Sequence, residues 1–204
     1  METAAQTQPL TYLALGDSYT IGEAVQREES LPYQLAAKLN QQGLKVSEPT
    51  IIATTGWTVD NLINAITKSG LEGKHYDFVT LLIGVNDQYQ GLSRDNYKVK
   101  FQQVLQTAIQ FAGGDRNRVF VLSIPDWGVT HFAQGRAAEI GPQIDRFNAI
   151  NKSISLAAGV HYLDITPISR RAAEDPSLIA GDGLHPSGKM YGEWVGELAL
   201  MIAQ

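Results

Sequence analysis

Cysteine is absent from the 204-residue chain. Its absence excludes disulfide bonds, catalysis by a thiolate and metal sites built from cysteine. A chain of this length can bury roughly 70% of the surface that its unfolded form would expose, so it can hold a rigid site. We expect a single domain over residues 1–204, with residues 1–9 as a flexible N-terminal segment.

Long runs of one charge and long apolar stretches are also absent. The 16 Lys and Arg residues and the 21 Asp and Glu residues are mixed along the chain, with a formal net charge of -5. Because proteins usually meet a phosphate backbone with a basic patch, we do not expect nucleic acid as a partner. The longest apolar stretch, residues 198–203, is far shorter than the roughly 20 residues that span a bilayer, so we expect no integral membrane segment.

A signal peptide is not recognisable either. Residues 1–8 are polar and acidic, with neither the basic start nor the apolar centre of such a leader. We therefore expect a cytoplasmic protein, although a leader removed earlier would leave no trace. The sequence does not indicate an oligomeric state.

Apolar runs alternate along the chain with segments of helical period. The runs predict strands near residues 11–15, 46–53, 78–84, 118–124 and 160–164. Apolar residues at three- and four-residue steps predict helices at 31–42, 59–69, 142–158 and 187–202, and a fifth that follows Ser93 and stops at Gly113. Nearly continuous apolar strands are typical of parallel sheets covered on both faces. We therefore expect an α/β fold of three layers, α/β/α, around a central five-stranded parallel sheet.

Polar residues suited to chemistry follow several of these strands. Ser18 comes after the first predicted strand, Gly56 after the second and Asn86 after the third. In open α/β sheets, ligands bind at the carboxyl ends of the strands, where such loops converge. The loop that carries Asp182 and His185 leads into the last helix and can return to the same edge. We therefore expect these residues to meet.

The chemistry of this set is that of a serine nucleophile. A serine hydroxyl needs a base that removes its proton and a partner that orients this base, and His185 and Asp182 suit the two roles. Attack on an ester also places negative charge on an oxygen atom, which needs hydrogen-bond donors. The candidate donors are the backbone N–H groups of Ser18 and Gly56 and the side-chain amide of Asn86.

Four separated blocks of the sequence resemble those that give the SGNH hydrolases, or GDSL-type esterases and lipases, their name. The matching residues are Ser18 in Gly16-Asp17-Ser18, Gly56, Asn86 in Gly84-Val85-Asn86-Asp87, and His185 in Asp182-Gly183-Leu184-His185-Pro186. The resemblance covers nearly the whole chain. It implies a flavodoxin-like fold, a Ser18/Asp182/His185 triad, an oxyanion hole from Ser18, Gly56 and Asn86, and neither a metal nor a cofactor.

The chain departs from the pattern of this family at two positions. Tyr19 replaces the usual leucine after the serine, and we expect this change to alter packing beneath the loop rather than the chemistry. The second block has no asparagine before Gly56.

Other side chains near these blocks have a structural and a functional interpretation. The aromatic neighbours are Trp57, Tyr89 and Trp127, which either line an apolar pocket that binds substrate or serve as ordinary packing. We expect Asp17 and Asp87 to tie their loops through side-chain to backbone bonds. The aromatic stripe of Tyr191 and Trp194 is expected in the core.

The leading hypothesis is a serine ester hydrolase that acts on small-molecule esters, with short to medium acyl chains, through an acyl-enzyme on Ser18. The family that the chain resembles also includes thioesterases, lysophospholipases and acyltransferases, and its motifs do not separate these activities. We expect the loops at 86–93 and 125–141 to decide the substrate, with the second long enough to act as a lid.

Two hypotheses of other classes remain open at this point. One is a non-catalytic module on a flavodoxin-like fold that binds anions or nucleotides at the turn of residues 16–22, although the turn lacks the G-x-x-x-x-G-K-[ST] spacing. The other is a metallohydrolase with Asp17, Asp182 and His185 as ligands, although no H-E-x-x-H motif is present.

Overall fold

The structure is a computed structural model that describes residues 8–204. The flexible segment predicted for residues 1–9 lies outside the described residues, apart from residues 8 and 9. Five strands form one parallel sheet in the order β2-β1-β3-β4-β5. Their bounds are β1 Tyr12–Gly16, β2 Thr50–Ala53, β3 Phe78–Leu82, β4 Val119–Leu122 and β5 His161–Leu163.

Helices connect these strands and cover both faces of the sheet. Their bounds are α1 Ser18–Ile21, α2 Leu31–Gln41, α3 Val59–Lys68, α4 Val85–Tyr89, α5 Arg94–Phe111, α6 Ala137–Ala158, α7 Thr166–Arg170 and α8 Gly188–Ile202. The helix α2 packs against α8, whereas α5 packs between α3 and α6. The architecture is the expected three-layer α/β/α fold with a five-stranded parallel sheet, which confirms the predicted fold class.

Burial follows from this layering. Every residue of β1, β3 and β4 is buried, because helices cover both faces of a parallel sheet. Tyr191 and Trp194 of α8 are fully buried, as predicted. Within residues 8–204, no helix combines the length and the apolar character needed to cross a membrane.

The strand order places a switch point between β1 and β3. The chain leaves β1 for β2 on one side and then returns to pair β3 on the other side of β1. At such a point the two connections diverge and leave a crevice at the carboxyl ends of the strands. The residues that follow β1 and β3 therefore border this crevice.

Several predicted boundaries were wrong. The strand predicted at 46–53 is confined to Thr50–Ala53, and Val46 makes only an isolated bridge with Leu10. The helix predicted from residue 142 begins at Ala137, because the N–H groups of Glu139 and Ile140 already bond to the carbonyl of Arg136.

The two predicted loops around the site are also more regular than expected. The segment predicted as a loop at 86–93 begins within α4. The proposed lid at 125–141 contains two short 3-10 turns, Trp127–Val129 and His131–Ala133, followed by the first turn of α6. It is therefore not one long loop.

Candidate active site

A tight turn joins β1 to α1 and fixes the position of Ser18. Asp17 caps the helix, because its Oδ1 accepts a hydrogen bond of 3.0 Å from the backbone N–H of Tyr19. Glycine is required at position 16, since a Cβ atom there would collide with Thr20 Oγ1 and the carbonyl oxygen of Leu82. Ser18 is the first residue of α1 and is largely buried, so its hydroxyl is held at the carboxyl end of β1.

The carboxyl groups of Asp17 and Asp87 lie buried next to candidate site residues. Burial raises the pKa of Asp17 to about 8, against the hydrogen bond from Tyr19, and the charge of Asp87 raises it further. Burial also raises the pKa of Asp87 to about 6, although the N–H of Val59 donates to this carboxylate at 3.0 Å. Both side chains thus make the backbone bonds that the sequence predicted.

Gly56 lies on the turn after β2 and Asn86 lies in the first turn of α4, and these two segments are tied together. The side-chain Nδ2 of Asn86 donates to the carbonyl oxygen of Trp57 at 3.0 Å, and Asp87 accepts from Val59 at the start of α3. Gly56 adopts a φ of 82°, in the left-handed region that favours glycine. The Gly56 turn is therefore held in a fixed relation to α4 by two adjacent side chains.

Asp182 and His185 form a pair on one turn of chain. His185 Nδ1 lies 2.5 Å from Asp182 Oδ2, and Asp182 Oδ1 accepts the backbone N–H groups of Leu184 and His185 at 3.0 Å each. Burial acts to raise the pKa of Asp182, but these hydrogen bonds outweigh it and hold the pKa below its ordinary value. The carboxylate therefore stays ionised and points at the imidazole.

One cleft of about 150 Å³ brings the predicted residues together. It is lined by Ser18, Tyr19, Thr55, Gly56, Val85, Asn86, Tyr89, Trp127, Phe132, Leu184 and His185. Asp182 stands behind His185 and is not part of this lining. Trp57 is also outside the lining, because its side chain packs against the hydrophobic core while its carbonyl oxygen accepts the Asn86 amide.

Three aromatic rings form one wall of the cleft. Tyr89 lies 5.4 Å from Trp127 and 6.2 Å from Phe132 between ring centroids, and Trp127 lies 6.0 Å from Phe132. A hydrogen bond fixes the Trp127 ring, since its Nε1 donates to Gln88 Oε1 at 2.8 Å. Tyr89 and Phe132 remain 54% and 44% exposed, so the wall presents aromatic surface to solvent. It is preformed and suited to apolar groups.

Leu184 belongs to this cleft but was not assigned to it from the sequence, and Phe132 was covered only by the prediction that the loop at 125–141 decides the substrate. Leu184 lies inside the block that carries Asp182 and His185, so its position was available as a signal. Phe132 reaches the cleft because its backbone N–H donates to the carbonyl of Gly183 at 3.2 Å. That contact joins two segments some fifty residues apart, and no local pattern indicates it.

A second cleft of about 610 Å³ borders the first. Its walls come from Gly128, His131 and Gly183, among other small and apolar residues. The adjacent residues Trp127, Phe132 and Leu184 line the smaller cleft, so the same two segments contribute to both spaces. Ser18 lies in the smaller one. Within residues 8–204, no three His, Asp or Glu side chains come together in a group that could hold a metal ion.

Comparison with known proteins identifies the family of the chain. The model of the GDSL-like Lipase/Acylhydrolase family matches residues 14–192. The chain belongs to this family. Membership supports hydrolysis of carboxylic esters as its activity and small-molecule esters as its substrates. No curated protein matches the chain.

Solved structures of this family's fold are similar over almost the whole chain. Axe2, an acetylxylan esterase from Geobacillus stearothermophilus, is 16% identical with a TM-score of 0.75, over 96% of this chain and 94% of that one. A lipase/acylhydrolase from Enterococcus faecalis is 21% identical with a TM-score of 0.70, over 95% of both chains. The esterase EstA from Pseudoalteromonas sp., inhibited by monoethylphosphonate, is 19% identical with a TM-score of 0.69, over 95% and 96%. At these identities the likeness shows the fold alone.

Proposed function

We propose that the chain is a serine esterase that cleaves small carboxylic esters through an acyl-enzyme on Ser18. One observation carries this proposal. The same cleft is lined by Ser18, Gly56, Asn86 and His185, and Asp182 Oδ2 is hydrogen-bonded to Nδ1 of the His185 ring. A nucleophile, a base with its orienting carboxylate and several donors thus meet at one place, as acyl transfer requires.

The mechanism follows from the roles of these groups. Ser18 Oγ attacks the ester carbonyl, its proton passes to His185 Nε2, and the carbonyl electron pair moves onto the oxygen. The N–H groups of Ser18 and Gly56 and the Asn86 amide donate to this oxyanion. His185 then protonates the leaving alcohol. In the second half, His185 takes a proton from water as the water oxygen attacks the acyl group. His185 then returns this proton to Ser18 Oγ as the bond from Oγ to the acyl carbon breaks and the acid leaves.

The size of the cleft supports a short acyl group. At about 150 Å³, the cleft beside Ser18 is smaller than the roughly 300–1,000 Å³ of pockets that hold drug-sized ligands. Medium chains would have to extend over the exposed rings of Tyr89 and Phe132. The acetylxylan esterase Axe2 and a second acetyl xylan esterase, AlAXEase, share the fold and act on acetyl esters by their names, in keeping with a small acyl site.

Substrate choice separates the esterase proposal from thioesterase, lysophospholipase and acyltransferase activities of the same family. We expect rates on p-nitrophenyl esters to fall from C2 and C4 towards C12, with slow turnover of a lysophospholipid. A clear preference for C12 or for the lysophospholipid would contradict the short-chain assignment while leaving the serine mechanism intact.

Binding of anions at the first turn is less well supported. The helix α1 has only four residues, and the Asp17 carboxyl group already occupies the Tyr19 N–H at its start. The Tyr19 N–H is therefore not available to a negative ligand, and the carboxyl group of Asp17 stands at the same helix start. Titration with a nucleotide, monitored by calorimetry, is expected to give no saturable heat.

Covalent labelling tests the proposal most directly. An ethyl phosphonate carrying a good leaving group is expected to add one phosphonyl group to Ser18, found by mass spectrometry of the digested protein. The variant Ser18→Ala should take up none. The matched control is Ser153→Ala, which changes an exposed serine on α6 and should label like the native protein. Labelling at another residue, or none, would contradict a Ser18 nucleophile.

A further inference from the structure

Tyr19 stands where the family motif has leucine, and its ring packs against the imidazole of His185. The two ring centroids lie 5.5 Å apart, with 58° between the ring planes. The side chain of Tyr19 is buried and lines the same cleft as Ser18 and His185. Tyr19 is thus next to the nucleophile in sequence and next to the base in space.

The position of the Tyr19 ring is fixed by the turn that holds Ser18. The backbone N–H of Tyr19 donates to Asp17 Oδ1 at 3.0 Å, so the residue is locked into the first turn of α1. Only 4% of Tyr19 is exposed. The backbone bond and the burial together hold the ring beside the imidazole.

The imidazole itself is restrained mainly at one edge. His185 Nδ1 meets Asp182 Oδ2, while the opposite nitrogen must stay available for the serine proton. The hydrogen bond at Nδ1 fixes that nitrogen but does not by itself set the tilt of the ring. Contact with the Tyr19 ring limits this motion and places an aromatic surface beside the imidazole.

The charged groups around this pair of rings come from several elements. Asp182 on the His185 turn, Asp17 before α1 and Asp126 after β4 act on Tyr19, while the phenol of Tyr191 from α8 lies near Tyr19, Asp17, Asp182 and Glu23. Burial, together with the charges of Asp17, Asp126 and Asp182, raises the pKa of Tyr19 far above its ordinary value. The phenol therefore stays neutral, and Tyr19 acts on its neighbours through its ring.

We propose that Tyr19 is a positioning residue for His185, and that its aromatic ring stabilises the imidazolium that forms when Ser18 gives up its proton. The proposal rests on the serine esterase function proposed above. A cation within ~6 Å of an aromatic centroid is attracted to the ring, and this attraction corresponds to a factor of about 2 to 30 in rate. The imidazolium exists only once attack has begun, so the effect falls on kcat rather than on KM.

Three variants separate the ring from the hydroxyl and from packing. Tyr19→Phe keeps the ring, Tyr19→Leu restores the family residue, and Tyr76→Leu changes a buried tyrosine that packs on Phe111 instead. For Tyr19→Leu we expect kcat for p-nitrophenyl acetate to fall by about 2- to 30-fold, with KM changed less than about twofold. We also expect the acid limb of its pH–rate profile to move to lower pH, because the protonated base is less stabilised.

The other two variants are expected to retain the native acid limb and to lose little kcat. Thermal unfolding of each variant shows whether it is folded. A Tyr19→Leu enzyme with an unmoved acid limb would overturn the proposal, since lost packing alone would lower kcat without moving it. A Tyr19→Phe enzyme that behaves like Tyr19→Leu would also overturn it, because the hydroxyl would then be the active part.

A titration of His185 by NMR makes the test independent of enzyme activity. The ring signal of His185 is assigned by its loss in His185→Gln, and its titration midpoint is compared between the native chain and Tyr19→Leu. We expect a lower midpoint in Tyr19→Leu. An unchanged midpoint would refute the role of Tyr19 whatever the activity. A lowered midpoint in a chain that hydrolyses no ester would refute the proposed function and leave the effect of Tyr19 standing.

Discussion

His185 Nδ1 lies 2.5 Å from Asp182 Oδ2, and the same carboxyl group accepts two backbone N–H groups through its other oxygen. The Asp-x-x-His turn is therefore closed on itself before any substrate arrives. Asp182 does two things at once, since it shapes the turn with Oδ1 and fixes the imidazole tautomer with Oδ2. The proton of His185 is placed on Nδ1, which leaves Nε2 free to accept.

The variant Asp182→Asn separates these two tasks. Its Oδ1 can still accept the backbone N–H groups, but its amide Nδ2 then faces His185 Nδ1 and stabilises the wrong tautomer. By analogy with a serine protease, we expect kcat to fall by on the order of 10⁴ while the fold is kept. Circular dichroism and p-nitrophenyl acetate hydrolysis measure the two effects.

Asp175→Asn provides the matched control for this prediction. Asp175 also accepts the N–H of the residue two positions on, at 3.1 Å from Ser177, but it pairs with Lys189 outside the cleft. Its activity should remain close to native. Near-native activity of Asp182→Asn itself would show that the contact between Asp182 and His185 does not serve catalysis.

Ser18→Ala should abolish turnover without disturbing the helix that it begins. The cap of α1 comes from Asp17, so the loss of the Ser18 hydroxyl leaves this helix end satisfied. We expect kcat on p-nitrophenyl acetate to fall by about 10⁴- to 10⁶-fold by analogy with a serine protease. Ser153→Ala is the control, and hydrolysis by Ser18→Ala at a tenth of the native rate or more would rule out Ser18 as the nucleophile.

Asn86→Ala should reduce the stabilisation of the transition state more than it reduces the binding of substrate. Its amide is already oriented by the bond to the Trp57 carbonyl, which leaves a second N–H for a developing oxyanion. Loss of one such donor costs roughly 10²- to 10³-fold in kcat in comparable enzymes. We expect that loss with little change in KM. Asn96→Ala, an exposed asparagine on α5, should behave like the native enzyme, and a pure KM effect in Asn86→Ala would contradict the oxyanion role.

Most of the site residues could be predicted from the sequence, because short local patterns indicate where they lie. Ser18 follows a continuous apolar run, Asn86 follows another, and His185 lies three residues after its own partner Asp182. Parallel strands place all such turns at one edge, so the fold class alone was enough to expect the cleft.

Features that depend on contacts distant in sequence could not be predicted in this way. Phe132 enters the cleft through a bond to Gly183, and Trp57 packs against the core while its carbonyl oxygen accepts the Asn86 amide. The sequence predicted too late a start for α6. Proline is common at the first position of a helix, whereas Pro142 lies inside α6. The contact between Tyr19 and His185 joins the two ends of the chain, so the sequence suggested only altered packing.

Asp17→Asn is expected to change the pH dependence of stability. The pKa of Asp17 is raised from 3.8 to about 8 in the folded chain, so between these values the native state holds a proton that the unfolded state has lost. Its contribution to stability is therefore complete below about pH 4 and is lost as the pH rises through about 8. Asparagine keeps the oxygen that caps α1 and does not titrate. The variant should gain stability relative to the native chain as the pH rises from 4 to 8, and the difference should level off above.

Urea unfolding at pH 4, 6, 8 and 9 measures this difference. Asp87, with a pKa raised to about 6, acts with the same sign over a narrower range, so part of the pH dependence will remain in Asp17→Asn. The control is Asp95→Asn, an exposed aspartate in the first turn of α5, whose difference from the native chain should not grow over this range. A difference for Asp17→Asn that stays constant from pH 4 to 9 would show that the carboxyl group is ionised throughout. Ser18 would then react beside a buried negative charge, which opposes the oxyanion that the cleft must stabilise.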